Sequence, residues 1–127
     1  MDEKTFKART KKLAVATIKQ VDKLPRSLAT DVIAKQLVRS GTSIGANYRA
    51  ACRAKSTPDM INKLKIVEEE SDETECWLEL LTEAGLQSQD QVASIYKETD
   101  EILAMTIASI KTLRTRAPQS KIVNRKS

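Results

Sequence analysis

RSGTSIGANYRAACRAKS, residues 39–56, places Gly41 and Gly45 inside a stretch that otherwise reads as helix. Glycine in a helix interior costs about 1 kcal/mol relative to alanine, so something must offset it. GTSIGAN is not a phosphate-binding P-loop, because the GK[ST] ending is missing and no strand is predicted before it. The two glycines stand one turn apart on a stripe of small residues, Ala34, Val38, Gly41, Gly45, Tyr48 and Cys52. Absent side chains there let two backbones approach closely, so the spacing predicts tight helix packing with a local bend. Beside that stripe Ile33, Leu37, Ser40, Ile44, Asn47 and Ala51 keep a 4-3-4-3-4 rhythm, the seam of a helical bundle. Asn47 on this seam is expected to be a buried amide that fixes register through hydrogen bonds.

The same rhythm extends outward. Helix one is predicted from about Asp2 to Leu24, with Phe6, Thr10, Leu13, Thr17 and Leu24 facing inward and Pro25 ending it. Helix two spans roughly Ser27 to Ala54. STPD, residues 56–59, reads as a start, with Ser56 or Thr57 as N-cap and Pro58 at or near the first helical position. Helix three then carries Met60, Leu64, Val67, Ser71, Thr74, Leu78 and Leu81 and stops near Gly85. Ser88 and Gln91 form a capping box for helix four, whose seam reads Val92, Tyr96, Thr99, Leu103, Thr106, Ile110 and Leu113. Four helices with short connections imply an all-α, antiparallel up-down-up-down four-helix bundle over residues 1–114. RTRAPQSKIVNRKS loses both periodicity and acidic residues, so residues 115–127 are expected to form a basic, mobile tail.

Composition agrees. Aromatics make up only 3% of the 127 residues, too few for a β-sandwich, and no apolar run approaches a membrane span. The N-terminus has no signal-peptide apolar region, and Cys52 and Cys76 have no metal or disulfide spacing, which points to the cytoplasm. Charge is segregated. Residues 1–57 carry 13 basic and 4 acidic side chains, residues 58–110 carry 3 and 13, and residues 111–127 carry 6 and none. A basic surface can therefore form apart from an acidic one, favouring polyanion partners or charge-matched self-association.

RSGTSIGANYRAACRAKS, together with KLKIVEEESDETECWLELLTEAG at residues 63–85, strongly resembles the four helix bundle protein family. That family includes proteins encoded by intervening sequences of bacterial large-subunit ribosomal RNA genes. It is related to the accessory variability determinant of diversity-generating retroelements. The resemblance covers about residues 5 to 115. It implies a bundle that assembles as a ring-like homopentamer, with nucleic-acid binding seen or proposed for some relatives.

For function, the leading expectation is a non-enzymatic oligomeric adaptor that binds RNA or DNA backbone, or a nucleoprotein. Its candidate contacts are Arg39, Arg49, Arg53 and Lys55 on helix two, the helix-one lysines including Lys12 and Lys19, and Lys121, Arg125 and Lys126 in the tail. Such residues hold phosphates without reading sequence, since aromatic stacking partners are almost absent. A strip of Ile66, Trp77 and Leu80 on helix three, with Glu70 and Glu73 among them, is expected to stay exposed in a monomer and to form an oligomer interface. One alternative is a structural assembly module recruiting a protein partner such as a polymerase. Another rests on Glu69, Glu70 and Glu73, whose EExxE spacing resembles the magnesium site of all-α nucleotide pyrophosphohydrolases, with Glu98 and Glu101 as a second ExxE. The second motif lacks that family's ExxD form. With no histidine in the chain, a di-iron ExxH site and the commonest general base are both missing, so no cofactor or metal is expected.

Overall fold

The computed structural model describes the backbone of residues 2–126 and the side chains of residues 2–116. Four α-helices make up the described chain: α1 (Glu3–Asp22), α2 (Leu28–Cys52), α3 (Thr57–Glu83) and α4 (Gln89–Lys126). Each start has the chemistry its residues suggest. The side chains of Asp2, Ser27 and Ser56 accept hydrogen bonds from the backbone N–H three residues on. At α4, Ser88 and Gln91 cap each other reciprocally at 2.8 and 3.2 Å. Helix α3 stops in a Schellman motif. Gly85 adopts φ +73°, its N–H bonds Thr82 O at 3.0 Å, and Leu86 N–H reaches back to Leu81 O at 2.9 Å.

The helices form an antiparallel up-down-up-down bundle in which α1 packs on α2, α2 on α3 and α3 on α4, while α1 meets α4 only weakly. The core runs through Phe6, Leu13, Leu37, Ile44, Val67, Leu78, Leu81 and Ile102. Between these apolar layers sit buried hydroxyls. Those of Thr17, Ser71, Thr99 and Thr106 each donate to the carbonyl one turn back on their own helix at 2.7–2.8 Å, so burial leaves them satisfied. Ser40 and Thr74 are the pair whose hydroxyls meet across a helix interface, at 2.9 Å.

The close helix approach predicted from the glycines is present. A Cβ on Gly41 would lie 2.7 Å from both Cγ2 and Oγ1 of Thr17, and one on Gly45 would lie 3.1 Å from Oγ1 of Thr10. Both therefore set the α1–α2 separation, and α2 runs unbroken through them.

Two expectations need correction. The α4 seam is Val92, Ile95, Thr99, Ile102, Thr106 and Ile110, whereas Tyr96, Leu103 and Leu113 are only half-buried. Helix α4 carries two apolar stripes flanking Thr99 and Thr106, and Tyr96 is drawn outward by a 2.7 Å hydrogen bond from its hydroxyl to Glu79. Asn47 is half-buried, and its Nδ2 donates to Ser43 O at 2.8 Å on its own helix, so it fixes no register between helices. The tail residues Lys121, Arg125 and Lys126 have side chains outside those described.

Candidate nucleic-acid interface

The weak α1–α4 contact leaves a cleft of about 680 Å³ along the bundle. Its floor is apolar, with Leu13 and Ala16 from α1 and Ile95 from α4. Lys12 and Lys19 line it from α1, Lys23 from the cap that follows α1 and Lys97 from α4, all four exposed. The spacing of 7 and then 4 residues, with the cap still in the helical region, keeps the first three on one side. None of the four forms an ion pair among the described residues.

The acidic side chains of the cleft are already occupied. Arg9 grips Glu98 through Nε at 2.9 Å and Nη2 at 2.6 Å, and the same Nη2 lies 2.9 Å from Glu101. A forked guanidinium–carboxylate pair is geometrically demanding, and the bond to Glu98 pushes the Arg9 pKa above its ordinary value. The bridge also ties α1 to α4, which otherwise touch only weakly. Arg9 offsets one of the two glutamate charges, and the four lysines outweigh the one that remains, so the potential of the cleft is positive.

The other candidate residues lie elsewhere. Arg39 points towards α3 and pairs with Glu70 at 3.0 Å and with Glu73, and Glu73 also accepts from Trp77 Nε1 at 3.0 Å. That arginine is thereby committed to a contact within the chain. Arg49, at the C-terminal end of α2, and Arg53 and Lys55, just beyond it, are exposed and do not line the cleft. The structure thus brings Lys12 and Lys19 together with Lys23, and separates them from Arg39, Arg49, Arg53 and Lys55.

Two site residues were missed in the sequence. Lys97 and Arg9 belong to the cleft, but Arg9 and Glu98 are 89 positions apart and nothing local relates them. The carboxylates of the magnesium reading diverge as well. Glu70 and Glu73 turn towards α2, Glu98 and Glu101 towards α1, and among the described residues no group of three or more metal-type side chains is placed to hold an ion.

The α3 strip is exposed as expected at Ile66 (37%) and Leu80 (40%), while Trp77 is half-buried against the core. A second apolar pair, Val15 and Ile18, stands 45% exposed on α1 among its lysines. No described helix is long and apolar enough to cross a membrane.

No curated protein matches the chain. Among solved structures, the chain is similar to a protein of unknown function from the S23 ribosomal protein family of Bacteroides thetaiotaomicron VPI-5482. The two share 40% identity over 87% of this chain and 99% of that one, with a TM-score of 0.81. The family described as 23S rRNA-intervening sequence protein matches residues 4–108, which is most of the bundle, and the chain belongs to that family.

Proposed function

We propose that this protein is a non-enzymatic cytoplasmic adaptor that binds the phosphate backbone of RNA or DNA in the α1–α4 cleft. The observation that carries this reading is the set of four lysines, Lys12, Lys19, Lys23 and Lys97, that have no ion-pair partner among the described residues and line one open cleft whose glutamates are held by Arg9. Lysines on one helix flank contact phosphates as point charges and give affinity without base discrimination. Binding to RNA and to duplex DNA, titrated with salt, tests it. Affinity is expected to fall linearly in log–log form, with a slope of about −0.7 to −0.9 per phosphate contact. Absence of binding at low salt, or affinity indifferent to salt, would overturn the reading.

A second reading concerns assembly and is supported by a specific juxtaposition. Val15 and Ile18 sit among lysines on α1, and Ile66 and Leu80 sit among glutamates on α3. The two strips are complementary in charge and alike in apolarity, which suits a head-to-tail homo-oligomer, with the family resemblance favouring a pentamer. Such an assembly would also serve if the chain recruits a protein such as a polymerase. Because Trp77 also packs against the core, the cleaner probes are Ile66→Asp and Leu80→Asp. Each should yield smaller species of unchanged helicity in light scattering. Wild-type protein that is monomeric at micromolar concentration would sink this reading.

A further inference from the structure

We propose that the groove between α3 and α4 docks an arginine side chain on a basic segment of a partner protein, with Glu75 as its central acceptor. Glu75 belongs to α3 and is only 8% exposed. Its Oε2 is buried and accepts no hydrogen bond among the described residues. A buried carboxylate oxygen without a donor is costly, and folded proteins seldom keep one unless something else supplies the partner. The surroundings make that partner a cation. Asp72 stands three residues before Glu75 and Glu79 four after, so all three share one face of α3. Tyr96 of α4 fixes the register across the groove, its hydroxyl donating to Glu79 Oε2 at 2.7 Å. The helices are antiparallel, so one turn onward along α4 brings Asp100 level with Glu75, one turn back along α3. None of these four carboxylates forms an ion pair among the described residues. Helix α4 thus borders two grooves of opposite sign, and the acidic one repels the phosphates that suit the lysine cleft.

Arginine suits the groove better than lysine. A planar guanidinium carries five donors, enough to bond Glu75 and a neighbouring carboxylate together, whereas an ammonium is a compact point charge. The last torsion of a glutamate is broad, so a small rotation turns either Glu75 oxygen towards the arriving cation. Beside the carboxylates lies a cavity of about 360 Å³, lined by Leu78, Val92, Ala93, Tyr96 and Glu79. Lys97 also lines it but pairs with none of the four carboxylates. This cavity takes an apolar side chain of the same segment. The partner surface is therefore an arginine with an apolar residue about one helical turn away, not a bare run of charge.

The test is an NMR titration of the full chain at low salt with an amidated, alanine-based helical peptide bearing arginine and leucine one turn apart. Amide shifts should move at Asp72, Glu75, Glu79, Tyr96 and Asp100, and the same peptide with glutamine for arginine should leave them in place. Glu75→Gln keeps the side-chain shape and should weaken peptide binding by roughly tenfold or more, the scale of a lost charge partner. Glu69→Gln removes the same charge from an exposed position elsewhere on α3 and should change affinity by less than about twofold. Asp100→Asn, at an exposed residue, should also weaken binding and serves if the first variant does not fold. Sedimentation of wild type and Glu75→Gln should show the same assembly state. If Glu75→Gln instead dissociates an oligomer, a second copy fills the groove and the proposal is overturned. Shifts that fall outside the groove, or peptide affinity unchanged in every folded variant of Glu75 and Asp100, would overturn it equally.

Discussion

Alanine at position 41 should destabilise the bundle by about 1–3 kcal/mol, although alanine is the better helix former by about 1 kcal/mol. The new Cβ would sit 2.7 Å from Thr17, a side chain that is fully buried. Thr17 has little room to yield. Its χ1 is restricted by branching at Cβ, and its hydroxyl is engaged with Leu13 O at 2.8 Å. Helix α1 must therefore shift away from α2, which disturbs Phe6, Leu13 and Leu37 along the same seam. Valine should be worse and is the stronger perturbation. The Thr17→Ala/Gly41→Ala double variant should recover more than 0.5 kcal/mol relative to the sum of the single changes. Gly45→Ala should be milder, since its nearest contact is 3.1 Å. Urea unfolding followed by circular dichroism measures these variants and the single Thr17→Ala change that the cycle needs. A Gly41→Ala protein as stable as wild type would show that the close approach of α1 and α2 is not a constraint.

The second large effect concerns the cleft. Reversing Lys12, Lys19 and Lys23 together to glutamate should weaken RNA or DNA binding by about 10³-fold at 50 mM salt, taking a 1 M reference and three lost phosphate contacts. The log–log salt slope should become shallower by about 2–3. None of the three lysines has an ion-pair partner among the described residues, so helicity should not change. The paired control, Arg49→Glu/Arg53→Glu, reverses two exposed cations that do not line the cleft and should leave affinity within a few fold. If the control is the variant that loses binding, the interface lies at the end of α2 and not in the cleft.

The bundle was legible because the 4-3 spacing of α1, α2 and α3 coincides with what is buried: Phe6, Thr10, Leu13 and Thr17, then Leu37, Ser40 and Ile44, then Leu64, Val67, Ser71, Thr74 and Leu78. Periodicity faltered on α4, where two apolar stripes flank one threonine seam and only the neighbouring helices decide which is covered. Gln20 escaped notice for another reason. It is buried because its amide donates to Gln87 Oε1 at 2.6 Å and to Gln91 O at 3.1 Å, partners about 70 residues away. The site shows the same division. The lysines of α1 could be named as basic residues, but which of them face a cleft depends on where α4 lies. Conversely Arg39 reads as a free cation in isolation, and only the fold reveals Glu70 and Glu73 across from it. Local patterns carry faces; they do not carry which face meets which.

Because each helix packs chiefly on its neighbour in sequence, the chain can assemble by closing one short loop after another. Low contact order of this kind belongs to folding in microseconds to milliseconds. Long-range links between α1 and the α4 region, such as Gln20 to Gln87 and Arg9 to Glu98, reward loop closure only after the three hairpin-like pairings exist. They should therefore form late, and their removal should speed unfolding while leaving the folding rate nearly unchanged.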